Sequence, residues 1–259
     1  MRLMTYNMNG IRSSQRKGFW SWFMTQDIDV LCVQETKAQL AKLDTQISHV
    51  PGYHLHYVDA QKPGYSGVAI YSRQQPDQVI SSFGDTVFDS EGRYIRCRFG
   101  GLDVVSLYLH SGTSGDHRQI LKYQAMDLLK SSLLHDTLAA QQKMIIAGDW
   151  NIAHQKIDIK NWQSNQKNSG FLPEERQWMS DILSMGWVDG LRHLSPEEVV
   201  YTWWSFRANA RANNAGWRID YQMVTPQVAP FMQSWSVHKD PMFSDHAPMV
   251  IQYDDQVLA

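Results

Sequence analysis

The run Lys143-Met144-Ile145-Ile146-Ala147 ends in Gly148-Asp149-Trp150-Asn151, and no other segment constrains the chain as much. A short block of apolar, β-branched residues reads as a buried strand. A carboxylate follows it directly, and a carboxamide two residues later. Side chains at i and i+2 of an extended chain point the same way. Asp149 and Asn151 therefore reach one small volume at the C-terminal end of a strand. Such oxygen ligands suit a hard divalent cation, which takes one or two carboxylates and leaves the rest of its shell to water and phosphate. A second point of this kind lies late in the chain, where Phe243-Ser244-Asp245-His246-Ala247-Pro248 precedes the strand-like Met249–Tyr253. Two acidic strand ends, one carrying a histidine, indicate metal-assisted phosphoester chemistry.

The remaining periodicity predicts a mixture of strands and helices. Strands are expected at Arg2–Asn7, at 28–34 before Glu35-Thr36-Lys37, and at 53–58 and 67–72 around a Lys62-Pro63-Gly64-Tyr65 turn. Segments 92–99 and 102–109 form a hairpin through Gly100-Gly101, and 218–224 is a late strand. A short helix is expected from about Ser14 to Thr25. An amphipathic one is expected over 38–48, with Leu40, Leu43 and Ile47 on one face. A long helix, capped by Asp116, carries Ile120, Leu121, Ala125, Leu128, Leu129 and Leu133 towards Leu138. Residues 154–170 read as a polar loop, and Pro173 opens another helix. Regular βαβ spacing, a dinucleotide glycine fingerprint, a P-loop and internal repeats are all absent. The pattern predicts one domain over 1–259, with two packed, mostly antiparallel sheets and helices outside them.

Composition narrows the function. With 43% apolar and 19% charged residues, a chain of 259 builds a real core. A net charge of −2 argues against binding nucleic acid by bulk charge and leaves room only for a local basic footprint. Cys32 and Cys97 lack Cys-x-x-Cys partners and read as inert buried thiols. The N-terminus reads as a strand rather than a signal sequence, and no apolar run reaches the length of a membrane span. A cytoplasmic, monomeric protein is expected.

Asn7, Glu35, Tyr108, Asp149 with Asn151, and Asp245-His246 all fall at strand ends, and Asp220 lies in Gly216-Trp217-Arg218-Ile219-Asp220-Tyr221. Singly, an Asn at a strand end is a turn residue, a Glu is a solvated charge, and a Tyr is packing. An isolated buried Asp such as Asp220 satisfies backbone donors. The two clustered sites differ, because polar groups set against apolar strands need a metal or a partner. Lys156, Lys160 and Lys167 in one loop, and Arg207, Arg211 and Arg218 in another, could face phosphate or simply be solvated. Charge alone favours the solvated reading, and the interleaved Trp162, Trp203, Trp204, Phe206 and Trp217 bring nucleic acid level with it.

Eight stretches, in order, carry a family resemblance: 6–12 (Tyr-Asn-Met-Asn-Gly-Ile-Arg), 34–37 (Gln-Glu-Thr-Lys), 64–68 (Gly-Tyr-Ser-Gly-Val), 91–93 (Glu-Gly-Arg), 148–154, 167–176, 216–221 and 244–248. Over essentially its whole length the chain resembles exonuclease III-type apurinic/apyrimidinic endonucleases of the endonuclease/exonuclease/phosphatase superfamily. The resemblance implies a four-layer α/β sandwich, Mg²⁺ with Mn²⁺ as substitute, and double-stranded DNA with abasic sites or blocked 3′ ends as substrate. It implies Glu35 as principal metal ligand, with Asn7 and Asp245 beside it and Asp149 and Asn151 in the same shell. Asp149 would also orient or deprotonate the attacking water, and Asn151 would donate to a phosphate oxygen. His246 would contact the scissile phosphate with Asp220 holding its imidazole, and Tyr108 would aid attack or stabilise the leaving oxygen. Trp203, Trp217 and Ile219 would wall a pocket for a base-free sugar. Arg93, Asn165 and Asn168 would grip phosphates, and Arg207 would press into the duplex.

One position departs from the pattern. His110 stands where many relatives have proline, and it reads as a neutral surface-loop residue or, facing DNA, as a pH-sensitive contact. Two rival functions compete. An inositol phosphate or sphingolipid phosphodiesterase could use the same metal site, but 217–220 and 168–176 favour repair. A DNA-binding protein without catalysis is disfavoured because every catalytic position is filled.

Overall fold

The apolar runs read as strands, joined by three short strands at 78–80, 188–189 and 232–237 that the sequence pattern does not predict, pair into two six-stranded sheets in the computed structural model, which describes residues 1 to 259. The strands are β1 (Arg2–Asn7), β2 (Val30–Gln34), β3 (His54–Val58), β4 (Val68–Ser72), β5 (Gln78–Ile80), β6 (Tyr94–Phe99), β7 (Leu102–Tyr108), β8 (Lys143–Asp149), β9 (Val188–Asp189), β10 (Asp220–Val224), β11 (Met232–Val237) and β12 (Met249–Tyr253). One sheet has the order β11-β12-β1-β2-β4-β3 and the other β5-β6-β7-β8-β10-β9. Pairing is antiparallel except for β1 with β2 and β7 with β8.

The sheets pack face to face through an apolar layer that includes Cys32, Cys97, Val104, Ile145 and Ile251. Both thiols are free, and burial raises the pKa of each. The outer face of one sheet is covered by the helices Ile11–Arg16 and Phe19–Phe23, whose Ile11, Phe19 and Phe23 pack on Leu31 and Val33. The other sheet is covered by Asp116–Leu129 and Pro173–Met185, with Leu129, Trp178 and Ile182 against Ile146. Helices outside and two sheets inside make the four expected layers. A buried polar strip also crosses between the sheets: Gln34 Nε2 donates to Ser106 Oγ (2.9 Å), and Gln222 Nε2 to the Leu3 carbonyl (3.0 Å).

Several local expectations need correction. Residues 38–48 form no amphipathic helix. They hold only a 3-10 turn at Leu40–Lys42 and one helical turn at Thr45–Ser48. The Leu40 N–H bonds the Asp59 carboxylate (2.9 Å) and the Gln39 side chain bonds the Ala60 carbonyl (2.7 Å), so long-range partners replace helix bonds. The helix expected from Ser14 to Thr25 starts at Ile11 and breaks at Gly18, whose φ of +87° ends the first piece. Asp116 sits in the first turn of its helix and does not cap it, and the chain widens into a π-helical turn at Lys130–Leu134. Ile120 faces out, 54% exposed. The loop 154–170 contains a 3-10 turn at Lys156–Asp158 and a short helix at Trp162–Asn165.

Candidate active site

Both sheets deliver polar residues to the same end of the sandwich. In one sheet, Asn7 ends β1, Glu35 follows β2, and Asp245 and His246 precede β12. In the other, parallel register sets Tyr108 beside Asp149, and antiparallel register sets Asp149 beside Asp220. Gly148 allows this alignment, because a Cβ there would stand 1.9 Å from the Leu107 carbonyl oxygen of the neighbouring strand. Glu35 (φ +51°) and Asn151 (φ +52°) both hold left-handed backbone, as do Asn9 and Lys37 close by. Non-glycine residues rarely adopt that region, and such strain concentrates at functional sites.

Ligand atoms of Glu35, Asp149 and His246 all lie within 4.8 Å of one another. Asn7 bridges the carboxylates, its Nδ2 donating to Glu35 Oε1 (2.8 Å) and Asp149 Oδ2 (2.8 Å). His246 Nδ1 is 2.9 Å from Asp220 Oδ2, and its Nε2 is 3.8 Å from Asp149 Oδ2. Burial, then Asp220 and Glu35 nearby, push the Asp149 carboxyl above the usual carboxylate range. Burial opposes charge on the His246 imidazole, but Asp220, then Asp149 and Asp245, outweigh it and hold it up at about 10. Burial also raises the Tyr108 phenol, and Glu35 adds to that rise.

Glu35 and Asp149 set two buried carboxylates side by side, hard oxygen donors that fit a divalent cation, while the imidazole beside them is held cationic and is no ligand. Glu35 and Asp149 occupy the cluster as expected. Asp245 stands outside it, its oxygens taken by Asn9 Nδ2 (2.9 Å) and Trp203 Nε1 (3.0 Å). Asn7 turns its Oδ1 to the Asn9 N–H (2.9 Å), so it acts on the carboxylates as a donor. Asn151 gives one amide hydrogen to the Leu109 carbonyl (2.8 Å), and its N–H bonds Asp149 Oδ1 (2.8 Å).

A cleft of about 690 Å³ opens over this centre. Trp203, Trp217 and Ile219 form one wall, with the indoles edge to face at 5.9 Å. Asn168 and Lys167 line another side. Asn165 is half-buried behind Asn168 and accepts its amide (2.7 Å). Arg207 is exposed on a loop outside the cleft, beside Phe206, which is 65% exposed.

Other expected contacts do not form. Arg93 is 1% exposed and committed to Glu91 and Tyr65, which removes it from any DNA surface. His110 is no surface-loop residue. It is buried against Phe88 and lies 3.4 Å from Glu91, and burial lowers its pKa to about 4. Arg218 bonds Asp158 and Asp189 in the interior, and Arg211 bonds the Ser244 carbonyl, so neither supplies an open positive field.

Four supporting residues have no role legible in sequence. Lys37 pairs with Glu35 at 2.6 Å, and Asn9 holds Asp245. Lys122, fully buried, donates to the Asn151 carbonyl (2.8 Å) and to Glu175 (2.6 Å). Glu175 accepts the Gly170 and Leu172 N–H groups (2.6 and 3.0 Å), tying the cleft loop to Asn151. Lys37, Asn9 and Glu175 lie inside motif stretches, which is the signal that could have found them. Lys122 is brought to Glu175 only by the fold.

Residues 4–246 match the endonuclease/exonuclease/phosphatase family. The exodeoxyribonuclease of Bacillus subtilis (strain 168) is 39% identical over 251 residues, covering 96% of this chain and 98% of its own. A DNA repair nuclease of Danio rerio is 34% identical over 254 residues, covering 97% of this chain and 81% of its own. The solved structure of an AP endonuclease from Archaeoglobus fulgidus aligns with a TM-score of 0.89 at 29% identity, covering 98% of this chain and 99% of its own.

Proposed function

The chain belongs to the endonuclease/exonuclease/phosphatase family, in its exonuclease III-type apurinic/apyrimidinic endonuclease branch, and from that premise we propose that it cuts duplex DNA on the 5′ side of abasic sites. It is a hydrolytic DNA repair nuclease. The observation that carries abasic specificity is the Trp203/Trp217/Ile219 wall set directly against the acidic centre. A base-free sugar fills such a wall. An intact nucleotide must also bring a base, whose unpairing and unstacking take a few kcal/mol. The 3′-phosphodiesterase, 3′-phosphatase and 3′→5′ exonuclease activities would use the same centre on a duplex end.

Glu35 and Asp149, with Asp245 at the rim, would hold Mg²⁺ or Mn²⁺, which supplies charge stabilisation to the phosphate when bound. Asp149 is placed to orient water and receive its proton, because its carboxyl is raised from the ordinary range. Asp220 fixes His246 so that Nε2–H points at the phosphate side. The amide of Asn151 has a hydrogen left for a phosphate oxygen. Tyr108, beside Asp149 in register, is available to the leaving oxygen. Asn168, with Asn165 behind it, and Arg207 would hold the flanking duplex. No helix is long and apolar enough to cross a membrane, and both thiols are free.

The test compares one duplex carrying an abasic-site analogue, one intact and one with a 3′-phosphate, with and without Mg²⁺. Nicking should be fastest 5′ of the abasic site, should leave a 3′-hydroxyl and should need the metal. Trp217→Ala should erode the preference more than it erodes binding, since phosphate contacts fix the register. Equal internal cutting of intact duplex, or better hydrolysis of an inositol phosphate, would sink the assignment.

A further inference from the structure

The Glu91-Gly92-Arg93 stretch takes no part in lining the cleft, yet it leads straight to Tyr108. Gly92 has φ +57°, and a Cβ there would stand 2.7 Å from the Asp59 carbonyl carbon, so only glycine lets the chain turn this closely into β6. Arg93 then faces Tyr108 across the β6–β7 pair. The Tyr108 N–H donates to the Arg93 carbonyl (2.9 Å), and Arg93 Nη1 donates back to the Tyr108 carbonyl (3.1 Å). The guanidinium carbon lies 4.5 Å from the centre of the Tyr108 ring. Two further groups fix the guanidinium, and a third braces one of them. Its Nε donates to Glu91 Oε2 (2.6 Å) and its Nη2 to the Tyr65 hydroxyl (3.0 Å), while Arg118 grips Glu91 at 2.8 and 3.1 Å. A planar cation over an aromatic face is held by the ring quadrupole, most strongly where water is excluded.

We propose that Arg93 is a positioning residue that clamps the ring and main chain of Tyr108, aiming the phenol at the Glu35–Asp149 centre, with Glu91, Arg118 and Tyr65 holding the clamp. The inference rests on the reading of Tyr108 as a participant in cleavage. It replaces a phosphate contact by Arg93, which burial forbids. Three hydrogen bonds leave one plane in different directions to do this. A lysine at this position would keep the charge but lose the flat face and the fork.

Arg93→Gln and Arg93→Lys are made in the native chain and in Tyr108→Phe, with folding followed by near-ultraviolet circular dichroism. Turnover is read on abasic duplex with Mg²⁺. Affinity is read over a salt series on an abasic-analogue duplex without metal. Both Arg93 variants should lower kcat roughly ten-fold or more, the size of effect that small misplacements produce. Affinity and its salt slope should stay unchanged. In the Tyr108→Phe background the same changes should cost less than about two-fold, because residues acting as a unit are not additive. Weaker binding with a salt slope flattened by roughly 0.9 would make Arg93 a phosphate contact and overturn the clamp. So would an undiminished loss in the Phe background. Tyr108→Phe with native turnover would remove Tyr108 from the chemistry and the clamp with it. A clear loss from Tyr108→Phe without any loss from the Arg93 variants would overturn the clamp alone. If neither Arg93 variant folds, Tyr65→Phe, which deletes one hydroxyl from the clamp, should show a smaller kcat loss with unchanged affinity, and native kcat there would overturn it.

Discussion

His246 is buried at the floor of the cleft, and its charge state follows from its neighbours. Asp220 at 2.9 Å, together with Asp149 and Asp245, outweighs burial and keeps the imidazole cationic at neutral pH. A cation here donates through both ring nitrogens. It therefore serves as a phosphate contact and leaves the base role to Asp149, whose carboxyl is raised. If Asp220 acts only by orienting and charging His246, Asp220→Asn and His246→Asn should each lower kcat about a hundred-fold or more. The double change should then cost under roughly ten-fold beyond the worse single one. Single-turnover rates on abasic duplex check this, and fully additive losses would mean that the two act separately.

Elements were legible where a segment's own residues decide its structure. β1 and β12 end where their apolar runs end, and the hairpin of β6 and β7 turns at Gly100-Gly101. Segment 38–48 was not legible, because Asp59 and Ala60, some twenty residues on, take its donors. The same distance hid the fate of the arginines. Arg218 meets Asp158 sixty residues away and Asp189 twenty-nine away, and no local pattern separates that arginine from one facing phosphate. This network sets the wall of the cleft, since Arg218 lies between Trp217 and Ile219. Although Asp158 is buried, Arg218 and then Arg192 hold its carboxyl down at about 2. A depressed carboxylate gives stability that is present above its unfolded pKa near 4 and lost as pH falls through its folded value. Asp158→Asn should therefore destabilise by roughly 2 kcal/mol at pH 7. That difference should shrink as pH falls from about 4 to about 2. Urea unfolding of both proteins at several pH values checks it, and a difference constant with pH would put the loss in packing instead.

The catalytic centre belongs to neither sheet alone. Asn7, Glu35 and His246 come from one, and Tyr108, Asp149 and Asp220 from the other, so each sheet by itself carries half a site. Besides the site's own bonds, Asn7 to Asp149 and His246 to Asp220, the halves meet through the inter-sheet layer and its polar strip, in which Ser106 Oγ donates to the Val33 carbonyl (3.0 Å) and the Tyr253 hydroxyl to Gln222 (2.8 Å). Such buried polar links fix one sliding position between two apolar faces, because any other leaves donors unpaired. A chain built this way should unfold as one unit over residues 1–259. Ile145→Ala, a fully buried truncation in that layer, tests the point. It should cost about 2–5 kcal/mol and lower Tm by roughly 5–15 °C. The temperature at which nicking activity is lost should fall by the same amount. Trp150 and Trp178 report on one helix–sheet layer and Trp20 on the other, so single-tryptophan variants can follow each half. Coincident transitions for the two reporters and for activity are expected. If one half melts first, taking activity with it while the other stays folded, the sandwich is two cooperative units that share a site.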